Sequence, residues 1–109
     1  MNLRDQILSA NDCVLKPFPV PEWNVDVCLK TWTCAERAAV QAIHKSEGAD
    51  WIAQVVALTL CDPVGNKIFS HDDVKALADK NGAVLERIAL EALSHNGIGT
   101  NAVDDAKNA

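Results

Sequence analysis

Residues Asp50 to Leu60 read Asp-Trp-Ile-Ala-Gln-Val-Val-Ala-Leu-Thr-Leu, a run that is apolar on nearly every side of a helix. In a water-soluble chain such a segment marks a central element covered by the others. A buried strand competes, because Val55, Val56 and Thr59 are β-branched, but eleven residues is long for a strand and helix is preferred. The chain has 109 residues, 49% of them hydrophobic, so it holds enough apolar material for one modest core.

Proline organises the start of the chain. Val14-Leu-Lys-Pro-Phe-Pro-Val-Pro21 carries proline at alternate positions, which restricts it to an edge strand or a polyproline-like segment. Its natural partner is Val25 to Trp32, where Val25, Val27 and Leu29 alternate with Asp26, Cys28 and Lys30. A hairpin turning through Pro21-Glu-Trp-Asn24 follows, with Trp32 expected on the face opposite Val25, Val27 and Leu29. Upstream, Leu3, Ile7 and Leu8 at helical spacing predict a short amphipathic helix over Leu3 to Ala10 that packs on something or frays.

Helix boundaries come next. Thr33-Cys-Ala-Glu36 reads as a capping box opening a helix whose stripe of Ala35, Ala38, Ala39, Ala42 and Ile43 would let another backbone approach, ending near Glu47-Gly48. Cys61-Asp-Pro63 forces the chain out of the central helix, and Gly65-Asn66 supplies a turn. Ser70-His-Asp-Asp73 is a second cap signature, for a short helix burying Val74, Leu77 and Ala78 and stopping at Asn81-Gly82. The last helix, Ala83 to His95, turns Val84, Leu85, Ile88, Ala89, Ala92 and Leu93 to one face and leaves Leu90 off that stripe. The expectation is an α+β, mainly α fold: a small bundle of four to five helices with an N-terminal β-hairpin. Residues 1–99 form one domain, the helix and hairpin in 1–32 and the helical part in 33–99, and residues 100–109 form a flexible polar tail.

Composition argues against several functions. A formal charge of −5 with scattered Lys and Arg gives no nucleic-acid footprint. No apolar segment approaches spanning length and no signal peptide is read at the start, so no membrane partner and an intracellular setting are expected. Cys13, Cys28, Cys34 and Cys61 form no CxxC pair and read as free, mostly buried thiols. His44, His71 and His95 make no metal-binding motif, and no phosphate-binding glycine loop occurs, so no cofactor or metal is expected. Asp62 to Asp73 has the length of an EF-hand loop but fails as one: Val64 stands where an oxygen ligand belongs, Lys67 where glycine is required, and Asp73 where a longer bidentate Glu belongs.

Leu58-Thr-Leu-Cys-Asp-Pro-Val-Gly-Asn-Lys-Ile-Phe-Ser70 followed by Asp72-Asp-Val-Lys-Ala-Leu77 resembles the tail assembly chaperones of long-tailed bacteriophages. The strand and capped helix of Val25 to Arg37 and the closing Asn96-Gly-Ile-Gly99 fit the same pattern, which spans about Val25 to Asp105. The resemblance implies a non-enzymatic protein of the bacterial host cytoplasm, absent from the mature virion. It would bind the tape measure protein, keep it soluble and bring tail tube protein to it. The family often makes a second, longer product by programmed frameshifting, which would fit the short polar tail at Thr100 to Ala109. Within the loop, Phe69 is expected to plug its underside.

A holdase needs apolar surface with a polar rim. Trp23, Trp32 and Leu90 are the candidate partner-binding residues, each open to the alternative of being covered by the N-terminal segment. The exposed hairpin edge offers strand addition to a partner or to a second copy, so self-association is possible. Two rival functions stand beside the chaperone: a host-encoded helical adaptor, and a thiol-dependent enzyme using Cys34 near a helix N-terminus.

Overall fold

A computed structural model describes residues 2–43 and 49–98. His44, the expected helix end at Glu47-Gly48 and the expected tail at residues 100–109 lie outside the described residues. The order of elements is α1 (Leu3–Ser9), β1 (Leu15–Val20), a 3-10 turn (Pro21–Trp23), β2 (Val25–Lys30), α2 (Cys34–Ala42), α3 (Ala49–Thr59), β3 (Leu60–Cys61), a second 3-10 turn (His71–Asp73), α4 (Val74–Ala78) and α5 (Gly82–His95). Among the described residues this is a small α+β fold of five helices and a three-stranded antiparallel sheet in the order β1-β2-β3.

The apolar run is a helix, as its length predicts. Ala53, Val55, Val56, Ala57 and Thr59 of α3 are buried. They pack with Val27 and Leu29 of β2, Val74 and Leu77 of α4, and Val84, Leu85, Ile88, Ala89 and Ala92 of α5 in one core. The run does not end as helix, however. Leu60 and Cys61 leave α3 and pair with Leu29 and Cys28, adding a third strand that the hairpin expectation lacked.

The hairpin forms as expected, with Leu15 opposite Lys30 and Val20 opposite Val25. Asn24, at φ 56°, takes the left-handed conformation that closes the turn. Thr31 N–H donates to Val14 O at 3.0 Å, which sets the alternation of the ladder. Residues 16, 18 and 20 therefore bond to β2, while the nitrogens of Pro17 and Pro19 face the outer edge. That edge lacks donors at two successive outward positions, so it is a poor template for an added strand, and the expectation of strand addition there is corrected.

Polar contacts from α5 hold the hairpin along its length. Arg87 donates to both carboxylate oxygens of Glu22 at 2.6 and 2.7 Å. Lys16 pairs with Glu91, and His95 Nε2 lies 3.2 Å from Val14 O. Residues 87, 91 and 95 succeed one another at four-residue steps, so one row of α5 meets the hairpin from its turn to its open end.

Three further expectations change. β2 stops at Lys30, and Trp32 is buried at 6% exposure instead of facing outward. Asn96 captures the departing chain: its Oδ1 accepts from Trp32 N–H at 2.7 Å and its Nδ2 donates to Lys30 O at 3.3 Å. This turns the indole inward, where its Nε1–H donates to Thr59 Oγ1.

On α2 the capping box is present, but Ala35, Ala38, Ala39 and Ala42 are exposed and Val40 is the buried residue. The small-residue stripe is not a close helix contact; polar links at the helix's first turn tether it instead. Glu36 receives Lys30 at 2.7 Å and Lys67 at 2.8 Å, and Arg37 donates to Asn96 O at 2.8 Å.

Finally, α1 buries none of its residues. Asn2 caps it through the Asp5 amide, and Leu3, Ile7 and Leu8 stay exposed at 74%, 68% and 68%.

Candidate functional site

Two grooves, the first mainly apolar and the second mixed, lie on either side of the segment joining β3 to α4. The segment is shaped by a tight polar turn. Asp62 Oδ1 accepts from the amides of Val64 (3.0 Å) and Asn66 (2.9 Å), and the Gly65 amide donates to Asp62 O at 2.9 Å. Gly65 sits at φ 96°, a conformation that favours glycine. The Asn66 amide, helped by that of Val64, holds the Asp62 carboxyl below its ordinary range. One carboxylate oxygen of Asp62 thus holds its own loop together.

Beyond the turn, the backbone returns along β3, Ile68 N–H donating to Leu60 O at 3.4 Å. Ser70 and Asp73 then close the next cap, Asp73 Oδ2 accepting from the Ser70 amide at 2.9 Å. With both ends fixed, Ile68 and Phe69 form a ridge. Phe69 is half-buried against the core, as the plug expectation had it, and Ile68 is 44% exposed.

The first groove, about 510 Å³, runs from the hairpin turn to α4. Trp23, Val25 and Val27 form one wall, Ile68 and Phe69 another, and Ala76 and Leu77 a third, with Leu60 also lining it. Asp26, Asp73 and Lys80 supply its charged groups, and the Lys80 ammonium lies 6.0 Å from the centre of the Trp23 ring. The second, about 640 Å³, lies across the ridge between α2 and α3, lined by Ala39, Ile43, Gln54, Ala57, Leu58, Lys67, His71 and Val74 among others. Ile68, Phe69 and Asp73 border both.

Of the three residues singled out in the sequence, only Trp23 reaches a groove. Trp32 is in the core, and Leu90, 51% exposed on α5, lines neither groove. Ile68, Val25 and Phe69 were missed. Ile68-Phe69 did carry a signal, two adjacent large apolar residues between a turn and a cap, where a loop needs only one of them as a plug.

No group of three or more His, Cys, Asp or Glu side chains that could hold a metal occurs among the described residues. Cys34 is exposed at the first position of α2, and no helix among the described residues is long and apolar enough to cross a membrane.

These features define a class by architecture: a small α+β domain with a proline-edged hairpin, a central buried helix and two grooves at its surface. The same fold is found in the solved structure of the bacteriophage HK97 tail assembly chaperone, with a TM-score of 0.65 and 24% sequence identity over 84% of this chain and 90% of that one. By sequence, no protein-family model and no curated protein matches the chain.

Proposed function

We propose that this chain is a tail assembly chaperone of a long-tailed phage. In this reading it binds the tape measure protein, keeps its apolar helical faces from aggregating, and helps bring tail tube subunits to it. The observation that carries the proposal is the fold shared with the HK97 tail assembly chaperone along most of both chains. The grooves beside Ile68 and Phe69 support it physically. The first groove is mainly apolar, with Asp26, Asp73 and Lys80 among its lining, and suits the non-polar face of an amphipathic helix; the second is mixed in character. Binding of this kind needs no turnover and no cofactor. The protein would act in the cytoplasm of the bacterial host and leave before the virion is complete.

Deletion of the gene from its phage tests the proposal. Filled heads without tails are expected, with tail formation restored by the gene supplied in trans. Normal tails in the deletion would defeat the reading and favour a host-type adaptor.

A further inference from the structure

Cys28 and Cys61 face each other across β2 and β3, and both are buried. Because Thr31 N–H donates to Val14 O at the open end of the β1–β2 ladder, residues 25, 27 and 29 direct their peptide groups toward β1, and residues 26, 28 and 30 direct theirs toward β3. Cys28 and Cys61 are therefore themselves a hydrogen-bonded pair, whose Cα atoms lie ~5.5 Å apart in ordinary antiparallel geometry. That spacing falls inside the ~4.4–6.8 Å range spanned by disulfides. Facing Cβ atoms at ~4.5–5.5 Å are wider than the ~3.5–4.5 Å that a disulfide needs, so closure must draw the strands together by up to about 1 Å. β3 has only two residues, and the Cys61 thiol already leans over β2, donating to Cys28 O at 3.4 Å.

We propose that Cys28 and Cys61 form a reversible cross-strand disulfide, a modification site that staples the end of α3 to the sheet. The inference stands on strand register and is independent of the proposed function. Burial, with Cys28 and Asp62 adding to it and Lys30 opposing, pushes the Cys61 thiol up, so reaction proceeds through local opening of β3. The oxidant is a small disulfide such as glutathione disulfide. The Cys61 thiolate attacks one of its sulfurs and expels one glutathione; the Cys28 thiolate then attacks the Cys61 sulfur of the mixed disulfide and expels the second. Two protein thiols are oxidised, one small disulfide is reduced, and the two thiol protons end on the two glutathiones. In a reducing compartment the pair stays open.

The test uses the full chain carrying Cys13→Ser and Cys34→Ser, positions outside the buried core. The variant is equilibrated in glutathione redox buffer, alkylated and digested without reduction. A peptide linking Cys28 to Cys61 is expected, lost on adding dithiothreitol, together with a thermal midpoint at least about 5 °C higher in the linked form. Recovery of both cysteines only as free thiols or glutathione adducts overturns the proposal, as does a linked form that melts below the reduced one. If the double variant does not fold, the same map on the wild-type chain decides: a Cys28–Cys61 link supports the proposal, and its absence while Cys13 and Cys34 are oxidised overturns it.

Discussion

The Trp32 indole Nε1–H donates to Thr59 Oγ1 at 2.9 Å, and the same hydroxyl donates to Val55 O at 2.6 Å. One buried hydroxyl therefore joins the chain leaving β2 to the last turn of α3, and it satisfies the polar atom of the tryptophan that the core contains. Thr59→Val keeps the shape and removes the acceptor, leaving the indole N–H without a partner. Urea unfolding should show a loss of about 1–3 kcal/mol. Trp32→Phe in the same chain should add less than its separate cost, because the two changes remove one shared interaction. Full additivity would show that the pair is not coupled.

Acid should weaken the tether of α2. Burial works to raise the Glu36 carboxyl, but hydrogen bonds from Lys30, Lys67 and the Thr33 amide outweigh it and hold the group at about 2, against an ordinary 4.5. A depressed folded value means that the contribution is complete above about 4.5 and is lost as pH falls from there toward 2. Its size is on the order of 2–3 kcal/mol. Unfolding free energies measured down that range should fall more steeply for the wild type than for Glu36→Gln. Parallel curves would remove Glu36 from the account.

Much of the architecture was legible because its signals are local. The Thr33 and Ser70 caps, the alternate prolines of β1 and the continuous apolar character of α3 each state their outcome within a few residues. What was missed depends on distant partners. Leu60-Cys61 extends an apolar run without any change of pattern, and only the free side of β2 makes it a strand. Trp32 was assigned a face by extending the β2 alternation two residues too far, and Asn96, 64 positions away, is what ends that alternation. The grooves arise from the hairpin turn, the β3–α4 segment and α4 meeting in space, so the sequence alone offered Trp23 but not its neighbours.

The prolines of β1 should act as a guard against pairing between copies. Pro17→Val with Pro19→Thr restores two outward N–H donors on the free edge. Light scattering should show concentration-dependent association of the double variant beyond that of the wild type. An unchanged size distribution would mean that something other than the missing donors protects this edge.

The ridge should matter more for binding than the exposed leucine of α5. Ile68→Asp and Leu90→Asp both alter half-exposed side chains, so each variant should keep its fold by circular dichroism. With the tape measure protein as partner, Ile68→Asp should weaken affinity by roughly 10-fold or more, as loss of a central apolar contact does, and Leu90→Asp by less than about 3-fold. The reverse order would move the binding surface from the grooves to α5.

If the proposed role is right, co-expression with the tape measure protein of the same phage decides it, comparing the soluble fraction of that protein with and without this chain and testing for co-purification. A mostly insoluble tape measure protein alone, and a soluble, co-purifying complex when both are made, are expected. Equal solubility in the two cultures, with no co-purification, would contradict that role.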